Sequence, residues 1–302
     1  MRLKALLAGL ALAAAAGPGL AQDVKIGFIT KFPVPFFATM EDAAKTYAEA
    51  NPGVEIVYGQ GQSATDIEGQ IALIESMTAQ GVQGIALTPV DPTVAAALDK
   101  AIAAGVKVVL MDNNIPDWEG RTALATTDNY AAGKIAGEHL ATVLKDGDTL
   151  GILEGVPGVP ALDDRVNGML EGLGARKVEI VGRAGTNCTE ELGISVAEDL
   201  LTKEPELKAI YAACGPPAAG AARAITNAGI APDDIVLVGF DFCCGEAEAL
   251  ADGVEDATVA QFPTKMAELG VDALVKSIRG EEVENLIDSG AALVTKANMD
   301  QF

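Results

Sequence analysis

The chain has 302 residues, a formal net charge of −22, four cysteines and one histidine. That length holds two lobes of ordinary domain size, and the acidity excludes nucleic acid and anionic membranes as partners, because both are bound through lysine and arginine. With one histidine and no nucleophile elbow, phosphate loop or zinc-ligand spacing, neither an enzyme nor a metal or other cofactor is expected.

Residues 1–21 have the layout of an export signal. Arg2 and Lys4 form a charged start, 6–16 an apolar run, and Gly19-Leu20-Ala21 a small-residue cleavage site. The apolar run is too short to span a bilayer comfortably. The expectation is a soluble mature chain starting at Gln22, outside the cytoplasm. In that oxidising setting Cys188, Cys214, Cys243 and Cys244 can form disulfides, with three possible pairings. His139 lies in an alanine-rich helical pattern and reads as structural.

A first strand is predicted over 24–30. The loop Lys31-Phe32-Pro33-Val34-Pro35 breaks it, and a helix opens at Phe36 and Phe37 and runs to about Ala50. Strand 54–58, helix 66–80, strand 84–87, helix 93–104, strand 107–111 and a short strand at 123–125 follow. A helix over 130–144, capped by Asp128 or Asn129, opens a second series. That series has strands at 149–153, 178–182, 209–213 and 235–239, with helices at 162–173, 190–202 and 218–228 between them. Helix 245–252, strand 258–261, helix 264–279 and a strand at 291–295 complete the chain. The alternation predicts an α/β protein of two doubly wound parallel-sheet lobes with right-handed crossovers.

Two strands end in an aspartate, Lys107–Met111 before Asp112 and the apolar run from Ile235 before Phe240-Asp241-Phe242. A residue at the carboxyl end of a buried parallel strand faces the crevice where open α/β sheets bind ligands. A carboxylate accepts hydrogen bonds from two neighbouring hydroxyls, and an aromatic face packs against C–H groups. Together they suit a sugar held between two lobes.

Several stretches, taken in order, resemble the periplasmic sugar-binding proteins of the ribose-binding type. These are the type I solute-binding proteins that feed ABC transporters, related to the ligand domains of lactose-repressor-like regulators. The stretches are Pro35-Phe36-Phe37, Thr88-Pro89, Val108–Asp112, Thr127-Asp128-Asn129 with Gly133–Gly137, Arg165 within 164–168, Gly239-Phe240-Asp241, and Ala260-Gln261 before Pro263. The resemblance covers essentially all of the mature chain. It implies hinge crossings near Thr127, Gln261 and Ser289. The N-terminal lobe would comprise 22–127 plus 262–289, and the C-terminal lobe 128–261 plus 290–302.

The resemblance also makes Phe36 and Phe240 aromatic walls, with Phe37 adjoining. Asp112, Arg165, Asp241 and Gln261 become hydroxyl-binding groups, and Thr88, Asn113, Thr127, Cys188 and Cys214 stand at further ligand positions. The implied activity is capture of a small sugar or polyol by hinge closure, in the periplasm, by a monomer that serves a membrane permease. A non-sugar ligand, an autoinducer-like furanose or a cationic osmolyte, and a sensor role are the alternatives.

The chain departs from the ribose pattern at several positions. Val34 and Thr88 stand where ribose binders place asparagines, and Asn113 where they have arginine. Cys188 replaces an aromatic and Cys214 another asparagine. Ribose fits this loss of hydrogen-bonding groups poorly. A polyol, a deoxygenated or differently configured small sugar, or a non-sugar fits it better. All four cysteines fall on cleft-side loops of the second lobe. They pair either as Cys243–Cys244 with Cys188–Cys214, or with each of the latter joined to one of the adjacent two.

Overall fold

The computed structural model describes residues 23–302, so the expected export signal and expected start at Gln22 lie outside the described residues. The first series is β1 (Val24–Thr30), α1 (Pro35–Ala50), β2 (Val54–Gln60), α2 (Ile67–Ala79), β3 (Gly84–Leu87), α3 (Ala95–Ala103), β4 (Lys107–Met111) and β5 (Ala123–Thr126). The second begins with α4 (Asn129–Val143), β6 (Thr149–Glu154), α5 (Pro160–Gly172), β7 (Glu179–Gly185) and α6 (Glu190–Lys203). It continues with β8 (Ala209–Ala212), α7 (Gly215–Asn227), β9 (Val236–Asp241), α8 (Glu246–Asp252) and β10 (Ala257–Gln261). The chain ends with α9 (Pro263–Ile278), β11 (Leu286–Asp288) and β12 (Ala291–Thr295).

Two six-stranded sheets result, ordered β11-β5-β4-β3-β1-β2 and β12-β10-β9-β8-β6-β7. The chain leaves the first sheet between β5 and α4, returns between β10 and α9, and crosses again between β11 and β12. The parallel expectation holds except at one edge, where β12 runs antiparallel to β10. β11 was not anticipated. Its three residues are too few to show a period, and it exists because it pairs with β5.

Four helices begin earlier than their apolar periodicity suggests. α1, α5, α7 and α9 each take a proline into the first turn. Proline lacks the N–H that would be unpaired there, and its φ is already helical. Asp128 caps α4, accepting the Ala131 N–H at 3.0 Å.

Each sheet is covered on both faces. In the first lobe, α1 and α9 pack on a core holding Ile26, Phe28 and Met40, and α2 and α3 on one holding Ile29, Ile74 and Leu98. In the second, α4 and α5 cover Leu150, Ile152 and Tyr211, while α6 and α7 cover Leu153, Ile210 and Leu237. Each such buried aliphatic or aromatic side chain contributes about 1.5–3 kcal/mol.

The seam between α4 and α5 is made of backbone. A Cβ added at Gly133 would collide with the Arg165 carbonyl oxygen, and one at Gly137 with that of Met169. From the other side, Gly168 and Gly172 meet the carbonyl oxygens of Tyr130 and Lys134 in the same way.

Candidate functional site

The carboxyl ends of the two sheets face each other. On the first, β1 runs into Lys31 and β4 into Asp112, which is held with φ at 64°. Such a conformation is uncommon outside glycine and concentrates at functional sites. The Lys31 ammonium donates to Asp112 Oδ2 at 3.1 Å, and both side chains are largely buried. Next to this pair, the rings of Phe32 and Phe36 each meet Phe37 edge-on, with centroids 5.3 Å apart.

On the second sheet β9 ends at Asp241, with φ at 91°, followed by Phe242 with φ at 55°. Asp241 Oδ1 accepts from Arg165 Nη1 at 3.1 Å and from Gln261 Nε2 at 2.6 Å. Its Oδ2 accepts the Gly215 N–H at 3.0 Å, at the N-terminus of α7, where the helix dipole favours an anion. The buried Arg165 also donates to Asn129 Oδ1 and the Ala213 carbonyl, at 2.8 and 2.9 Å. Its guanidinium lies over the Phe240 ring, 4.0 Å from the centroid.

Disulfides join Cys188 to Cys214 and Cys243 to Cys244, the first of the two arrangements considered. Behind the second, α8 buries Glu246, whose carboxylate accepts the Cys244 N–H. Burial pushes the Glu246 carboxyl up to about 7, and the nearby charge of Asp241 adds to the rise. Glu255 is held well above its usual range, by burial first and by Glu246 second.

Among the described residues, Cys243, Cys244 and Glu246 are the grouping whose ligand atoms are close enough for one ion. Metals bind thiolates, and both sulfurs are committed to a disulfide, so the set does not fit a metal.

Between the sheets lies a cavity with about 650 Å³ of atom-free space, mouth included. Of the anticipated residues it is lined by Phe36, Phe37, Asp112, Asn113, Arg165, Cys188, Cys214, Asp241 and Gln261. Three others do not line it. Phe240, expected as a wall, is fully buried beneath Arg165 and belongs to the core under α4 and α5. Thr88 is fully buried just past the central strand β3, and its carbonyl accepts from Gln70 Nε2 at 2.9 Å. Thr127 sits at the first crossing, its hydroxyl 3.1 Å from that of Ser289 and 3.2 Å from the Gly290 carbonyl.

Lys31, Phe32, Val90, Val156, Val159, Leu162 and Pro216 also line the cavity, and sequence reasoning did not single them out. Their signal was position. Each lies on or beside a loop at the carboxyl end of a strand, where ligands of open α/β sheets gather. Val34 and the Cys243–Cys244 pair, noted above for their loops, join them.

A family model described as the periplasmic binding protein domain matches residues 26–282. The D-ribose/D-allose-binding protein of Pseudomonas aeruginosa is 32% identical over 271 residues, covering 86% of this chain and 85% of its own. The ribose import binding protein of Escherichia coli is 28% identical over 297 residues, 98% of each chain. An ABC transporter solute-binding protein from Burkholderia graminis, solved with D-arabinose, is similar with a TM-score of 0.87 and 29% identity, over 94% of this chain and 99% of that one. Another, from Agrobacterium vitis with bound D-fucose, has the same score and identity, over 92% and 97%. With a match across nearly all of both lobes and a cavity at their facing sheet ends, the chain belongs to the periplasmic binding protein family.

Proposed function

We propose that the chain is the solute-binding component of an ABC importer and captures a small sugar or polyol between its lobes. The observation that carries this reading is the convergence of the Lys31–Asp112 and Arg165–Asp241 pairs, one from each sheet, on a single cavity walled by Phe36 and Phe37. Relatives named for ribose and allose, and a similar structure solved with D-arabinose, support it. The family is one of binding proteins, not enzymes.

In this reading Asp112, Asn113, Arg165, Asp241 and Gln261 take the ligand's hydroxyls, while Phe36, Phe37, Cys188 and Cys214 pack on its carbon skeleton. Phe240 holds Arg165 in place from behind. The lobes, 22–127 plus 262–289 and 128–261 plus 290–302, close about crossings near Thr127, Gln261 and Ser289. Ligand bridging both sheets shifts the population to the closed state. Residues 1–21 direct export to the periplasm, where the protein acts as a monomer and docks acidic lobe faces on a membrane permease. Because the cavity's two cations already face two carboxylates, a neutral ligand suits it better than a cationic osmolyte.

The test is the melting of the mature protein against pentoses, hexoses, polyols and cationic osmolytes. Ligand at about a hundred times its Kd stabilises by about 2.7 kcal/mol. A shift with a sugar or polyol, abolished by Asp241→Ala, is expected. Shifts with non-sugars alone would overturn the substrate class.

A further inference from the structure

Most of the polar capacity in the cavity is already used within the protein. Asp112 Oδ2 holds Lys31, Asp241 Oδ1 holds Arg165 and Gln261, and Asp241 Oδ2 holds the Gly215 N–H. Gln261 Oε1, by contrast, is buried without a partner among the described residues, and is free to accept from a ligand hydroxyl. With Asp112 Oδ1, Asn113, the spare N–H groups of the Lys31 ammonium and the remaining guanidinium N–H groups, it serves a few hydroxyls of a ligand.

The rest of the lining cannot serve any. Val34, Val90, Val156, Val159, Leu162 and Pro216 are aliphatic, and all four half-cystines line the same cavity. Cys243 also packs against the first-lobe cluster that contains Phe36 and Phe37, so the sulfur surface reaches across the cleft. A disulfide has no donor and only weakly accepting sulfurs. A hydroxyl pressed against it loses its water without a replacement, whereas a methyl or methylene group gains from leaving water.

We propose that the cavity selects a neutral sugar or polyol with one deoxygenated edge, and that the Cys188–Cys214 and Cys243–Cys244 disulfides are the surface on which that edge lies. This presupposes the sugar-binding reading above and narrows its substrate class.

The test is calorimetric titration of the mature, oxidised protein with pairs that differ by one hydroxyl: D-galactose with D-fucose, L-mannose with L-rhamnose, and pentoses with their terminal deoxy forms. In at least one pair the deoxy member binds about 10- to 100-fold tighter, the range one such group commands in an apolar pocket. In Cys243→Ser/Cys244→Ser, which puts two hydroxyls in place of the sulfurs, that ratio falls toward one. Cys243→Ala/Cys244→Ala, equally without the cross-link but apolar, retains it. If neither variant folds, the wild-type ratio is read before and after a phosphine reductant, and it falls on reduction.

If sugars bind but the hydroxylated member is equal or better in every pair, the inference fails while the proposed function stands. If serine and alanine variants, or oxidised and reduced protein, keep the same ratio, the disulfides are not the selecting surface. If no sugar or polyol binds at all, both readings fall.

Discussion

Replacing Glu246 by glutamine removes a buried acid from behind the Cys243–Cys244 turn. In the folded chain its carboxyl is raised to about 7, chiefly by burial, against an ordinary value of 4.5. Between those values the folded state holds more protons than the unfolded one. Stability from this group is therefore complete below the lower value and is lost as pH rises through the upper. The interval corresponds to about 3 kcal/mol. For a lobe of this size that is a change in melting temperature of about 6–12 °C.

Glutamine keeps an acceptor for the Cys244 N–H but does not titrate. The assay is thermal unfolding by circular dichroism of both proteins, from about pH 5 to about pH 8, across the window where the linkage acts. The wild type should lose stability relative to Glu246→Gln as pH rises. Glu255 is raised partly by Glu246, so removing that charge flattens the profile in the same direction. Parallel profiles for the two proteins would refute the assignment of a buried, proton-holding Glu246.

Lys31→Met leaves Asp112 buried without its cation, and urea unfolding should show a loss of about 3–5 kcal/mol together with weaker ligand binding. Gly137→Ala would raise helix propensity by about 1 kcal/mol at an open site. Here it meets the Met169 carbonyl, and the same measurement should show a net loss of about 1–3 kcal/mol. Phe240→Leu touches no cavity surface but removes the ring under Arg165, so titration should show Kd rising about 5- to 10-fold.

The α/β alternation was legible because its apolar runs are short, β-branched and separated by glycine-stopped helices. Asp112 and Asp241 were legible for a related reason, since an acid at the end of a buried strand has few other places to point. Phe240 sits in the core and not on the cavity wall expected of it, because a continuously apolar strand carries no alternation to say which face a side chain takes. Lys31 was passed over because one cation after a strand is ordinary until its partner, 81 residues away in sequence, is in view. The pairing of the four cysteines was likewise undecidable from spacing, as it depends on which loops the fold brings together.

The glycine seam between α4 and α5 has a mechanical consequence. α4 starts just beyond the Thr127 crossing, and α5 carries Arg165 and Leu162 of the cavity lining and begins directly after Val159, which also lines it. Where two helices touch through backbone, no rotamer lies between them to absorb a displacement. Asn129 ties the same parts together, accepting from Arg165 Nε and donating to the Thr127 carbonyl at 2.9 Å. A displacement of Arg165 therefore meets a linkage with no slack, whose other end is anchored beside the first crossing between the two sheets.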